Sequence, residues 1–185
     1  VGVVDDGPSE LNLERLGARG VSYLGTLAEW LASETLPRQY VLGVGSPAVR
    51  RRLVVRLEDA GAQPFTAVHP SATFGACVDV GEGVVVCAGV AISTNVRLGR
   101  HVHVNPNATI GHDADLRDFV SVNPAAVISG EVIVGEGSLV GAAATVLQGL
   151  SVGQGSVLGA ACLVTKDVPG GVVVKGVPGQ WTEYD

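Results

Sequence analysis

The sequence predicts a mainly β protein in which a small α/β, Rossmann-like domain precedes a left-handed parallel β-helix. Two observations carry the prediction: a large apolar residue recurs every six positions from Val68 to Val164, and short apolar runs alternate with helix signals before that repeat begins. These patterns divide the 185 residues into an α/β domain over 1–67, a β-helix over 68–168 and a C-terminal tail over 169–185.

The α/β domain is predicted from strand and helix signals in alternating order. These are a strand at Val1–Val4, a turn at Asp5–Pro8, a strand at Val21–Leu24, a helix capped by Thr26 and Glu29, a strand at Tyr40–Val44, and a helix from Ser46 to Gly61. In the last helix Val49, Leu53 and Leu57 form the predicted apolar stripe. We expect its four arginines on the solvent-exposed face, where one could bind a phosphate. The sequence contains no Met, so we expect that Val1 is not the natural start and that the domain lacks its first strand.

The six-residue repeat is unbroken. Its large residues are Val68, Phe74, Val80, Val86, Ile92, Leu98, Val104, Ile110, Leu116, Val122, Ile128, Val134, Val140, Val146, Val152, Leu158 and Val164. Neither a helix nor a flat strand has this period, whereas a three-faced coil uses one hexapeptide per face and three per turn. We therefore expect every large residue to point into the core. We also expect both ends of the coil to be capped, by the α/β domain and by the tail folding back.

Composition narrows the classes of partner. A net charge of −6 and a pI near 5.1 argue against nucleic-acid binding. The three cysteines show no C-x-x-C spacing, which predicts small buried thiols in a reducing cytoplasm. The uncharged stretch from Gly137 to Thr165 keeps the six-residue phase, so we expect buried coil rather than a membrane span.

His112 is the candidate catalytic residue. It follows the core residue Ile110 by two positions, at a corner where side chains point outward, and Asp113 follows it. A carboxylate beside an imidazole orients the ring and stabilises its protonated form, which suits a general base. The other histidines, His69, His101 and His103, make no pair with zinc-ligand spacing, so no metal site is predicted.

Register places further polar groups near one another. Gly130 lies one full turn after His112, which leaves room for a ligand and an exposed N–H that could steady an oxyanion. Asn105 and Asn123 stack in the same way, either as a structural ladder or as part of a site. In the α/β domain, Asp5 and Asp6 follow a strand and could bind a ribose or form only a turn.

A second candidate binding element in the α/β domain is the glycine-rich turn at residues 43–46. This turn leads into the N-terminus of a helix, which is a natural anion site.

With these motifs the chain resembles the bacterial nucleotide-sugar acyltransferases, which include the sialic acid O-acetyltransferases and the N-acetyltransferases of nucleotide-linked 4-amino-sugars. The resemblance rests on the repeats, on residues 108–113 and 124–130, and on the motifs at 164–169 and 176–178. It implies a cytoplasmic homotrimer that uses acetyl-CoA as acyl donor between adjacent subunits, without a metal.

The resemblance also implies roles for individual residues. His112 would be the general base and Asp113 its support, and the N–H of Gly130 would polarise the thioester carbonyl. Ala142 and Ala160 would line the path of the pantetheine arm, and Asn105 would lie near the sugar. Asp5, Asp6 and Gly45 would lie at the nucleotide.

Some relatives carry a second histidine where this chain has Phe119, which puts any role that needs two histidines in doubt. The sequence thus favours N-acetylation of a nucleotide-linked amino-sugar. It leaves open O-acetylation of a sugar hydroxyl, of the sialic acid type, and a non-catalytic scaffold.

Overall fold

The computed structural model describes residues 1–33 and 38–183, and the chain forms two compact units, Val1–Arg38 and Gln39–Asp185. In the first unit, strands β1 (Gly2–Val3) and β2 (Ser22–Tyr23) pair in parallel and are joined through helix α1 (Glu10–Ala18). Helix α2 (Leu27–Ala32) follows. Helix α1 was not predicted from the sequence, although Ser9 caps it by accepting a hydrogen bond from the N–H of Asn12.

The predicted capping box of α2 is confirmed. The hydroxyl of Thr26 accepts from the N–H of Glu29 at 3.3 Å, and the Glu29 carboxylate accepts from the N–H of Thr26 at 2.8 Å. These bonds lower the pKa of Glu29, the backbone bond contributing most.

The second unit begins with strand β3 (Gln39–Tyr40), helix α3 (Pro47–Asp59) and strand β4 (Gln63–Pro64), with β3 and β4 parallel. Ser46 caps α3 and Pro47 occupies its first turn, as predicted. Among the described residues β1–β2 and β3–β4 are separate two-stranded sheets, so a single Rossmann-like domain over 1–67 stays a prediction.

The β-helix consists of seventeen two-residue strands, β5 to β21. Their bounds are Ala67–Val68, Thr73–Phe74, Asp79–Val80, Val85–Val86, Ala91–Ile92, Arg97–Leu98, His103–Val104, Thr109–Ile110, Asp115–Leu116, Ser121–Val122, Val127–Ile128, Ile133–Val134, Leu139–Val140, Thr145–Val146, Ser151–Val152, Val157–Leu158 and Leu163–Val164. They form three parallel sheets in which every third strand is paired, for example Thr109 with Ala91 and with Val127. The predicted three-faced parallel coil is thus confirmed.

The repeat residues from Val86 onward form one continuous core and are almost fully buried. The first coil departs from the prediction, because Val68 is 45% exposed and Phe74 is 38% exposed. A terminal coil has a neighbour on one side only, so its large residues lose half of the packing that an interior coil receives.

At the other end the tail packs on the last coil, as predicted. Strand β22 (Val172–Lys175) extends the sheet beside β20, and β23 (Gln180–Glu183) returns antiparallel to it. The side-chain nitrogen of Lys166 lies 4.5 Å from the centre of the Trp181 ring, a cation–π contact that fastens this hairpin.

The cysteines only partly match the prediction of buried thiols. Cys162 is buried and Cys87 half-buried, but Cys77 is exposed because it lies at an outward corner of the first coil. Burial raises the pKa of Cys87 and of Cys162. Over the described ranges, no helix has the length and apolarity needed to cross a membrane.

Candidate active site

Stacking of the coils lines up residues eighteen positions apart along three edges. We call one of these the His112 edge; it is formed by the corner residues Ala76, Thr94, His112, Gly130, Gln148 and Lys166, each two positions after a core residue of the six-stranded sheet. The residue that follows the corner adopts a positive φ on the first five coils of this edge, including Asn95 (56°), Asp113 (59°) and Glu131 (61°). This left-handed conformation turns the chain sharply and directs the corner side chains outward.

His112 and Asp113 form an ion-pair-like contact at this edge. Nδ1 of His112 lies 2.7 Å from Oδ2 of Asp113, and both side chains are nearly half exposed, at 46% and 47%. Because the carboxylate can only accept, the neutral imidazole carries its proton on Nδ1, and Nε2 is left with a free lone pair. The pair therefore presents a base at Nε2.

The Asp113 carboxylate has a second partner. Its Oδ1 accepts a hydrogen bond of 3.0 Å from Nδ2 of Asn95, one coil below. The hydrogen bonds from His112 and Asn95 lower the pKa of Asp113, so this residue is an anion at neutral pH. Sequence reasoning did not single out Asn95, although its spacing from Asp113 equals one turn of the coil.

Gly130 lies directly beside the imidazole on the coil above. A Cβ built on Gly130 would lie 2.5 Å from Nε2 and 2.6 Å from Cε1 of His112, so only glycine leaves space for the ring in this position. Its N–H donates no hydrogen bond to any described residue. The residue as a whole is buried in the single chain, and the binding of a ligand to its N–H stays a prediction.

Asn105 forms the ladder that the sequence allowed. Its Nδ2 donates to the carbonyl of Val122 at 3.0 Å and lies 3.4 Å from Oδ1 of Asn123. These contacts stabilise the stacked coils at an edge different from that of His112, since Asn105 follows a strand of the eight-stranded sheet.

Ala142 and Ala160 also lie away from His112. They occupy the corners after Val140 and Leu158, which belong to the eight-stranded sheet, and both are exposed. Within one chain, therefore, the residues expected along the pantetheine path and the expected base belong to two different edges of the coil.

The residues expected at the nucleotide have structural partners of their own. In the first unit, Asp5 accepts from the N–H of Gly7 at 2.9 Å in a tight turn, and Asp6 accepts from the N–H of Leu27 at the start of α2 at 2.7 Å. In the second unit, the exposed Gly45 precedes the cap of α3.

Arg50 does not lie on a solvent-exposed face of α3, contrary to the sequence-based expectation. It is 0% exposed, and its guanidinium donates to the carbonyls of Val44 and Gly45, both at 3.0 Å, and to the hydroxyl of Ser121 at 2.8 Å. A further bond of 2.7 Å reaches the carbonyl of Phe119. Burial lowers the pKa of Arg50 to about 10. This side chain fastens the loop before α3 to the coil.

The same burial explains why the apolar stripe of α3 differs from the prediction. The residues of α3 that are buried are Arg50, Val54 and Leu57, whereas Val49 and Leu53 are only half-buried. The buried face of α3 is therefore the one that carries Arg50, Val54 and Leu57. Arg51 remains exposed and pairs with Glu136 at 2.6 Å.

Two histidines are buried near Arg50 rather than exposed. His101 lies between the rings of Tyr40 and Phe119, at centroid distances of 6.2 and 5.4 Å, and His103 is covered on the outer face of its sheet. Phe119 thus has a packing role in this stack. Burial, followed by the Arg50 and His101 charges, lowers the pKa of His103 to about 4; burial, followed by the Arg100 charge, also lowers the pKa of His101.

These two histidines should make the protein less stable in mild acid. The unfolded chain protonates them near pH 6.5, whereas the native state keeps His103 neutral down to about pH 4, so stability is complete above about pH 7 and is lost as the pH falls through this interval. The shift of His103 corresponds to at most about 3 kcal/mol. Urea unfolding at about pH 7.5 and about pH 5 measures the loss.

The variant His103→Gln should flatten this dependence on pH. An unfolding free energy of the natural chain that is equal at both pH values would contradict the assignment of neutral buried histidines.

Among residues 1–33 and 38–183, no group of three or more His, Cys, Asp or Glu side chains is arranged to hold a metal ion.

The family model described as "Hexapeptide repeat of succinyl-transferase" matches residues 73–94 and 131–166. A curated relative, GDP-perosamine N-acetyltransferase from Escherichia coli O157:H7, is 29% identical over 90 residues, which are 49% of this chain and 41% of that protein. The matched region thus spans less than half the length of this relative.

Solved structures match almost the whole chain. PerB from Caulobacter crescentus, in complex with CoA and GDP-perosamine, is 29% identical with a TM-score of 0.84, over 98% of this chain and 97% of that one. The acetyltransferase domain of PglB from Neisseria gonorrhoeae, in complex with acetyl coenzyme A, is 28% identical with a TM-score of 0.85, over 98% and 85% of the two chains. WeeI from Acinetobacter baumannii is 25% identical with a TM-score of 0.90, over the same shares.

The matching repeats, the three parallel sheets and these relatives agree with one another. Within residues 73–94 and 131–166 the β-helix matches the hexapeptide-repeat model, and the proteins to which the chain is similar include GDP-perosamine N-acetyltransferase.

Proposed function

We propose that this chain is an N-acetyltransferase that transfers the acetyl group of acetyl-CoA to the amine of a nucleotide-linked amino-sugar. One observation carries the proposal: the chain presents an exposed His112 with Nδ1 bound to Asp113 and Nε2 free, on a fold that matches PerB in complex with CoA and GDP-perosamine. A 4-amino-sugar is the expected acceptor.

The reaction that fits this site is direct transfer. The neutral amine attacks the thioester carbonyl, an N–C bond forms as the C–S bond breaks, and Nε2 of His112 takes the proton of the amine. The imidazolium then returns the proton to the CoA thiolate. No covalent acyl-enzyme is required. A cysteine nucleophile would need to lie next to His112, and the nearest along this side of the coil, Cys77, lies two coils below Asp113.

The residues around His112 have distinct roles in this proposal. Asp113 holds the Nδ1–H tautomer and stabilises the imidazolium that forms when Nε2 takes the proton. The N–H of Gly130, which has no acceptor among the described residues, binds the thioester carbonyl oxygen as negative charge develops there. Gly130 also keeps the space that the imidazole occupies.

The acyl donor is proposed to lie between subunits of a homotrimer. Ala142 and Ala160 occupy an edge other than the His112 edge, so a CoA that contacts both sets of residues needs the Ala142 edge of a neighbouring chain. A threefold arrangement of left-handed coils places unlike edges side by side. The mass of the native assembly in solution tests this arrangement.

Residues 1–67 are proposed to form a Rossmann-like domain that binds the nucleotide, with Asp5 and Asp6 of the first unit and Gly45 of the second as candidate nucleotide-binding residues. The β-helix over 68–168 supplies the catalytic corner, with Asn105 near the sugar, and the tail over 169–185 closes the last coil.

We further propose that the enzyme works in the cytoplasm, where acetyl-CoA and nucleotide-sugars are available, and that it binds no nucleic acid. The acidic balance of the chain supports the last point.

The test of this proposal is the release of free CoA thiol from acetyl-CoA in the presence of UDP-, GDP- and dTDP-linked amino-sugars. We expect release with at least one amine acceptor and none with the same sugar bearing a hydroxyl in place of the amine. Release that requires the hydroxyl would instead identify an O-acetyltransferase. Failure to bind acetyl-CoA at all would favour a non-catalytic scaffold.

A further inference from the structure

We propose that Asn95 is a positioning residue for His112, acting from the coil below through the carboxylate of Asp113. The inference rests on the proposed function, because it assigns a role in the same site. It extends that site by one coil, toward the N-terminal end of the β-helix.

Coil stacking brings the three side chains into one line. Thr109 and Ile110 pair with Ala91 and Ile92, so the corner that follows Ile92 lies directly below the corner that follows Ile110. Nδ2 of Asn95 then donates to Oδ1 of Asp113 at 3.0 Å. The other oxygen of Asp113, Oδ2, accepts from Nδ1 of His112 at 2.7 Å. The carboxylate is thereby held by donors on two different coils.

Packing alone does not hold this pair. The side chains of His112 and Asp113 are nearly half exposed, and Asp113 projects from a sharp turn at the surface. A carboxylate with a single donor can rotate toward water about its two side-chain torsions. The second donor restricts that rotation, and hydrogen bonds to an ionised group are stronger than those between neutral groups.

The turn itself does not require asparagine at position 95. Asparagine tolerates the left-handed conformation, but Cys77 and Glu131 adopt the same conformation, at 58° and 61°, in the equivalent places one coil below Asn95 and two coils above it. The amide of Asn95 is therefore available for its contact with Asp113, and it touches neither the imidazole nor any atom that reacts. Its effect on catalysis is to fix the tautomer and direction of the ring.

Asn95→Gly removes the amide while keeping a residue that adopts positive φ readily. We expect kcat to fall about tenfold, the lower limit for loss of a hydrogen bond to a charged group, with KM for both substrates within about twofold. In spectra of the 15N-labelled histidines, His112 should shift from the Nδ1–H tautomer toward the Nε2–H tautomer. The carboxyl of Asp113 should also titrate at a higher pH, since one of the two bonds that lower its pKa is lost.

Two further variants separate positioning from folding. Asn95→Asp keeps the size of the side chain but cannot donate and adds a like charge beside Asp113, so it should lose at least as much activity as Asn95→Gly. The control is Cys77→Gly, at an exposed residue with φ of 58° one coil below Asn95, which should change neither kcat nor the spectrum of His112.

Wild-type kcat in Asn95→Asp, or an unchanged His112 tautomer in Asn95→Gly, would overturn the positioning role. The spectrum is independent of turnover. A shift of tautomer in a protein that acetylates no amino-sugar would therefore support the role of Asn95 and overturn the proposed function instead.

Discussion

His112→Ala is expected to reduce kcat for amine acetylation by about 10²–10⁴-fold, the usual contribution of a general base. The methyl side chain of alanine leaves no group to take the proton that the amine loses on attack. The corresponding increase in the barrier is about 3–5 kcal/mol. Because His112 is nearly half exposed and outside the core, the unfolding free energy should change little.

The measurement is steady-state release of CoA thiol, with KM for acetyl-CoA determined in the same experiment. A nearly unchanged KM together with the lower kcat would mean that the ring acts on the transition state rather than on donor binding. His69→Ala, at an exposed histidine outside the His112 edge, is the matched control and should retain full activity. Near-wild-type turnover in His112→Ala would contradict the assignment of this residue as the base.

Gly130→Ala should cost at least about 10²-fold in kcat, because the added Cβ displaces the imidazole that would act as base. That Cβ would lie 2.5 Å from Nε2 of His112, roughly 1 Å inside an ordinary contact, so the ring must rotate away and its bond to Asp113 is lost. Displacement of a reacting group by about 1 Å is sufficient for a loss of this size.

The fold should tolerate the change, since Gly130 does not adopt a positive φ and Ala76 occupies the equivalent corner of the His112 edge. Thermal unfolding should therefore be close to that of the natural chain. Gly17→Ala, where a Cβ meets nothing within 4 Å, is the control and should keep full activity. Wild-type kcat in Gly130→Ala would show that the close contact between this glycine and the imidazole is not needed to keep the base in place.

The sequence predicted the coil and its register well because the information is local and repeated. A six-residue period places one large core residue on each face and three faces in each turn, so residues eighteen positions apart must be neighbours, and this rule alone placed Gly130 beside His112. The same arithmetic shows that Ala142, thirty positions after His112, lies on another edge. The same spacing of eighteen positions relates Asn95 to Asp113, so this contact too was predictable from the sequence.

The sequence did not predict which surfaces of the β-helix are covered by α3 and the loop before it. Arg50 belongs to a run of arginines that has the pattern of a solvated helix face, and His103 occupies an outward position of a strand. Both are buried because α3 and its preceding loop pack against the coil, a tertiary contact with no local signal. Val68 and Phe74 fit the repeat but are exposed, because the first coil has a neighbour on only one side.

In the proposed function, the His112 corner acetylates the amine of a nucleotide-linked sugar. The most direct test is mass spectrometry of a GDP-linked 4-amino-sugar after incubation with acetyl-CoA and either the natural chain or His112→Ala. The natural chain should convert the sugar to the species heavier by one acetyl group on nitrogen, and His112→Ala should yield about 10²-fold less or lower still in the same time. Acetylation on oxygen would contradict N-acetylation, and equal conversion by both proteins would contradict the role of His112 as the base.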